Sequence, residues 1–216
     1  MFFLVLTHSD VPIGEKFESW WHRYNFGTSY QPIVQMCYIL KGQELGFEVR
    51  EHHSQPRISD LAREIHGIEY NKETKCKSYK NIDICWGKDN TSYEAEDLFL
   101  VFEYEDSGTI DDIFEELYGK LLYINSKYIV LGGRLNSELD IEVISEKIEN
   151  KLQKNNIDRD LIFIFIAPDS ISKPTKIYLT QFIYKNYQLM RINDKKYYIN
   201  IAKKKNFNEV IIQKIK

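Results

Sequence analysis

Leu98-Phe99-Leu100-Val101-Phe102 and, further on, Leu161-Ile162-Phe163-Ile164-Phe165-Ile166 are apolar at every position. A strand covered on one face alternates apolar and polar residues, so unbroken runs predict strands covered on both faces and central in a sheet. Between the two runs lie two helical patterns and a third apolar run. Thr109 with Asp112 forms a capping-box-like start, followed by Ile113, Phe114, Leu117 and Leu121 on one face. Residues 128–131 form the third run. Ser137 then opens a second pattern, with Ile141, Ile144, Ile148 and Leu152 at helical spacing and Asn155-Asn156 closing it. Strand, helix, strand, helix, strand over residues 98–167 predicts an α/β fold, a mixed sheet with a parallel β-α-β-α-β centre and helices packed on its faces.

Outward from this centre the signals are shorter. Apolar or β-branched runs at residues 2–7, 33–40, 45–50 and 82–86 predict strands. Phe17, Trp20, Trp21 and Tyr24 suggest an aromatic-faced helix, and residues 59–66, stopped by Gly67, another. After Pro174 the chain turns to Tyr/Ile/Lys-rich strands, with Asn193-Asp194 expected as the turn between residues 188–192 and 196–201. These should form an antiparallel C-terminal edge. With no solenoid repeat and no Gly/Ser/Pro linker, residues 1–216 are expected to form one domain. A soft boundary near residue 92 would divide a mixed α+β half (1–92), bearing the His, Cys and Trp residues, from the rest (93–216).

Composition narrows the class. A chain of 216 residues that is 43% hydrophobic and 14% aromatic has ample material for a packed interior, and this excludes disorder as its ground state. Residues 1–7 are apolar but only a strand long, and they lead into His8-Ser9-Asp10 rather than a small-residue cleavage site, so no signal peptide is expected. No other run approaches the roughly 20 apolar residues of a membrane span. Cys37, Cys76 and Cys85 are odd in number and lack CxxC spacing, which favours a reducing, cytoplasmic location. The Lys/Asn/Ile/Tyr bias after residue 120 fits an AT-rich coding source such as many bacteria and phages. Charge is bipolar: residues 1–108 hold 11 Lys/Arg against 18 Asp/Glu, and residues 109–216 hold 18 against 14.

Four constellations bear on chemistry. His8 and Asp10 follow the first expected strand directly, where open α/β sheets usually build sites; His8 suits a general base or metal ligand and Asp10 its orienting partner. His52 and His53, with His66 beyond a short helix, form the one local cluster of metal-ligand types, although adjacent histidines in an extended segment point to opposite faces. From Glu94 to Glu116 the chain carries ten carboxylates and no Lys or Arg. Glu103 and Glu105, ending a central strand, could present carboxylates to a divalent metal, but Glu103-Tyr104-Glu105 lacks the lysine of a restriction-type E-x-K arrangement. From residue 171 onward, 11 Lys/Arg face only Asp194 and Glu209, with Tyr197 and Tyr198 among the interleaved aromatics and Lys203, Lys204 and Lys205 in a row. Aromatics among lysines can stack bases and neutralise phosphates, although the lysine run also suits protection of an edge strand. Leu131-Gly132-Gly133-Arg134 reads as a tight strand-to-helix turn. Residues 100–114 look like a protein-kinase hinge and its following helix, but no Gly-rich loop precedes them and no metal-binding Asp-Phe-Gly follows.

Two function classes follow, with a third beside them. The absence of catalytic spacing favours protein recognition, with a protein partner or a homo-oligomer, as in toxin-immunity, phage-defence or counter-defence assemblies; Trp20, Trp21 and Trp86 would be anchors if exposed. The alternative is a hydrolase or nuclease using His8, Asp10, Glu103 and Glu105. It would take a divalent metal, no other cofactor being evident. Nucleic-acid binding through residues 171–216 is the third reading.

Overall fold

In a computed structural model, residues 31–51, 82–87, 98–105, 109–169, 176–204 and 207–214 are described. Helix α1 (Gln31–Glu44) is followed by strands β1 (Glu48–Glu51), β2 (Ile84–Gly87) and β3 (Leu98–Glu105). Helix α2 (Ile110–Gly119) and a 3₁₀ turn (Leu121–Tyr123) lead to β4 (Ser126–Arg134), and helix α3 (Asp140–Lys154) leads to β5 (Leu161–Pro168). The chain then runs through β6 (Lys176–Lys185), β7 (Gln188–Lys204) and β8 (Phe207–Lys214). All eight strands join one sheet in sequence order, so β2 and β3 pair across residue 92. The pairs β3–β4 and β4–β5 are parallel and the others antiparallel. This is the expected mixed α/β sheet with its antiparallel C-terminal edge.

Strand alternation sorts the core onto two faces. Val101, Ile129, Leu131, Leu161, Phe163, Phe165, Phe182 and Tyr184 share one apolar cluster with Ile113, Phe114 and Leu117 of α2 and Ile141, Ile144, Ile148 and Leu152 of α3. Both crossover helices therefore cover the same face. Phe102 belongs to the other alternation phase and stacks on Tyr38 of α1, with ring centroids 4.8 Å apart. Covered on both faces, β5 is buried at all eight positions, which is why its sequence does not alternate.

Local signals explain most boundaries. Thr109 caps α2, its hydroxyl accepting from the Asp112 N–H at 3.3 Å. The second crossover helix begins at Asp140, later than Ser137; the Asp140 carboxylate instead accepts from the Ser137 N–H at 2.9 Å. Three expectations are corrected. Residues 33–40 belong to α1 and not to a strand: Pro32 fits a first helical turn, and the helix ends where Gly46, at φ 79°, lets the Phe47 N–H reach Gly42 O and the Gly46 N–H reach Gln43 O. Asn193-Asp194 is no turn, since β7 runs through it with a register shift opposite Gln181 and Phe182. The β6–β7 turn is Asn186-Tyr187, both at positive φ (51° and 61°), a two-residue loop of the kind whose twist matches a hairpin. Finally, Gly132 and Gly133 lie within β4. A Cβ on Gly132 would meet the Tyr104 ring at 2.3 Å and one on Gly133 would meet Ile113 Cδ1 at 2.5 Å, so both make room for packing side chains. The expected strand at residues 2–7 and the helices near residues 17–24 and 59–66 fall outside the described residues.

Candidate active site

Polar groups gather on the carboxyl half of β3. The pairing Ile84↔Phe102 places Asp83, the residue just before β2, beside Glu103. Asp83 accepts from the Tyr104 backbone N–H at 3.0 Å and from Gln31 Nε2 of α1 at 3.2 Å. Glu103 is buried, at 4% exposure, although it stands on a strand whose neighbours are apolar. From the end of α2, Lys120 reaches back so that its Nζ lies 2.5 Å from Glu103 Oε1 and 2.6 Å from Glu116 Oε2. Glu105 follows Glu103 on the same face, half-buried, in register with Gly133.

The electrostatics follow from this crowding. Burial, and then the charge of Asp83, push the Glu103 carboxyl up to about 9, although Lys120 opposes the shift. Burial also raises Asp83, against its hydrogen bonds from Tyr104, Gln35 and Gln31. Glu105 is raised by burial and by the charges of Glu116, Asp83 and Asp112. Burial works against the Lys120 ammonium, but its hydrogen bonds to Glu103 and Glu116 outweigh it and hold the lysine charged. Glu103 and Glu116 thus share one ammonium, with the charges of Asp83 and Glu105 nearby, and the crowding raises the affinity of Glu103 for a proton.

Two of the four expected catalytic residues, Glu103 and Glu105, are therefore brought together; His8 and Asp10 lie outside the described residues. So do His52, His53 and His66, and with them every histidine of the chain. Trp20 and Trp21 are likewise outside. Trp86 is corrected as a binding anchor: it is fully buried, and the missing side chain of Gly42 lets α1 close on it. Cys37 and Cys85 are buried. Tyr197, Tyr198, Lys203 and Lys204 lie on β7, and Lys205 lies beyond its end, outside the described residues.

Asp83 and Lys120 were not anticipated from the sequence. The lysine missing from Glu103-Tyr104-Glu105 is supplied in space, from another element. Asp83 did carry a signal, a single acid within the apolar run Ile82-Asp83-Ile84-Cys85-Trp86. Among the described residues no three His, Cys, Asp or Glu side chains are gathered at metal-ligand spacing; the cation within this group is Lys120. No described helix is long and apolar enough to cross a membrane. No known protein-family model matches the chain, and no curated protein matches it in sequence.

Proposed function

We propose that this protein is a divalent-cation-dependent phosphodiester hydrolase, a nuclease, with its site at the carboxyl end of β3. The observation that carries the reading is the convergence of Asp83, Glu103 and Lys120, from three elements, on the edge of a parallel strand pair where α/β sheets usually place ligands. Carboxylates whose affinity for protons is raised by burial and by one another are also groups that gain from a bound cation, and such perturbed clusters mark functional sites. Protein recognition was favoured by missing spacing and by tryptophan anchors. Against it stand the buried position of Trp86 and the meeting of Glu103 with Lys120 from another element.

Asp83 and Glu103 would hold the cation, which would polarise the phosphoryl group and acidify the attacking water. Lys120, already charged, would pair with a non-bridging phosphate oxygen once Glu103 and Glu116 release it. Glu105, half-buried and made more basic by burial and by the charge of Glu116, would take the proton from the water as its oxygen bonds to phosphorus. The phosphorus–ester oxygen bond then breaks, and the leaving oxygen takes a proton from solvent.

The test is cleavage of DNA and RNA by the full chain with Mg²⁺ or Mn²⁺, compared with Asp83→Asn, Glu103→Gln and Lys120→Met. Cation-dependent cleavage that falls at least about 100-fold in each variant, with folding intact by circular dichroism, is the expected result. Cleavage that survives in Glu103→Gln, or none on any nucleic acid tried, would overturn the proposal.

A further inference from the structure

We infer that the β7–β8 ribbon is a grip for duplex nucleic acid. As far as it concerns the substrate of the carboxylate site, the inference rests on the hydrolase reading; as a binding surface it stands alone. β6 pairs with β7 only as far as Lys176↔Tyr198, whereas β7 continues to Lys204 and pairs there with β8 alone. Residues 199–204 and 207–212 thus form a two-stranded ribbon beyond β6, extending about 20 Å at ~3.3 Å per residue.

Its direction is set by register. Glu105 pairs with Gly133, Gly133 with Phe165, Phe165 with Thr180 and Thr180 with Asp194, so Asp194 on β7 lies in the same row as Glu105. Because β7 runs parallel to β3, β4 and β5, its residues after Asp194 carry the ribbon past their carboxyl ends. That is the edge on which the carboxylates stand. The lateral offset is four strand spacings, about 19 Å, or five to six base-pair steps at about 3.4 Å each.

The ribbon has the shape and charge for this partner. A two-stranded β-ribbon fits the major groove, roughly 12 Å wide and 8.5 Å deep. Lys203 and Lys204 lie at its far end, opposite Asn208 and Phe207, and Lys195, Lys196 and Lys214 at its base; Glu209 is the only acid of β8. Lys203 and Lys204 are of opposite alternation phase, and so are Lys195 and Lys196. The register pairs Ile199 with Ile212 and Ile201 with Val210.

The test is fluorescence anisotropy of a labelled 30-base-pair DNA duplex with the full chain in EDTA, from low to high salt. The wild type should bind with a steep salt dependence and prefer the duplex to a single strand of equal length. Lys203→Ala/Lys204→Ala should weaken binding about tenfold or more near 0.1 M salt and flatten the log–log salt slope by about 2, and Lys203→Arg/Lys204→Arg should restore both. Unchanged binding in the alanine variant, a preference for single strands, or no binding by the wild type would overturn the inference. Binding lost with the ribbon lysines from a protein that cleaves nothing would sink the hydrolase reading and leave the grip standing. Cation-dependent cleavage with duplex binding indifferent to these lysines would do the reverse.

Discussion

Replacing Glu103 by glutamine should change how stability depends on pH more than stability itself near pH 6. In the folded chain burial pushes the Glu103 carboxyl up to about 9, whereas in the unfolded chain it titrates near the ordinary value of 4.5. Between these limits the folded state holds a proton that the unfolded state has released. This stabilisation is complete below about pH 4.5 and is lost as pH rises through about 9, with a slope of about 1.4 kcal/mol per pH unit for one proton. Asp83 and Glu105 are shifted in the same direction and add to the fall. Glutamine reproduces the shape of the protonated acid and has no proton to lose. From pH 5.5 to 8.5, therefore, Glu103→Gln should gain about 3–4 kcal/mol on the wild type, or roughly 6–16 °C in Tm at 2–4 °C per kcal/mol for a chain of this size. Urea and thermal unfolding of both proteins in EDTA at three pH values would measure the difference, with titrations of groups not coupled to Glu103 cancelling between them. A wild-type-minus-variant difference that stays flat across this range would refute the assignment of the shared proton to Glu103.

Two further predictions concern the frame around the site. Gly133→Ala should destabilise by about 1–3 kcal/mol, because the new methyl must displace Ile113, and adding Ile113→Val should recover part of the loss in a double-mutant cycle read by urea unfolding. Arg159→Ala should cost about 2–3 kcal/mol: its guanidinium donates to Ile124 O at 2.9 Å, Ser126 Oγ at 3.2 Å and Ser126 O, tying the chain before β5 to the start of β4; calorimetry would show the Tm fall.

The centre of the fold was legible because its signals are local. The unbroken runs of β3 and β5, the cap at Thr109 and the apolar spacing of α2 and α3 each act within a few residues, and each became the element expected. Errors arose where one local pattern serves two structures. Residues 33–40 are as apolar as a buried strand because α1 presses Tyr38 against Trp86 and Phe102 on its inner side, and only Pro32 and Gly46 distinguish the cases. Asn193-Asp194 has the residues of a turn, but Asn186-Tyr187 closes a register in which Lys185 already faces Gln188, and β7 absorbs the other pair as an irregularity.

The site was legible by halves. Glu103 and Glu105 stood out as carboxylates on a central strand, but Asp83 and Lys120 come from other elements and meet Glu103 only when β2 pairs with β3 and α2 folds back. Chain spacing carries no trace of such a meeting; cost does. An acid inside a covered strand loses its hydration, as Glu103 does between Phe102 and Tyr104, and Asp83, just before β2 between the buried Ile82 and Ile84, loses part of its own. Lys120 compensates part of that loss, yet one ammonium among four carboxylates leaves a proton or a cation to be acquired. Apolar side chains at Asp83 and Glu103 would meet the packing requirement of β2 and β3 at least as well, since buried ion pairs seldom stabilise a fold relative to hydrophobic replacements. Packing alone therefore gives no account of these acids. The site we propose, which would take up and release positive charge, would give one, and this is the physical ground for proposing chemistry here rather than at the exposed acids of α2.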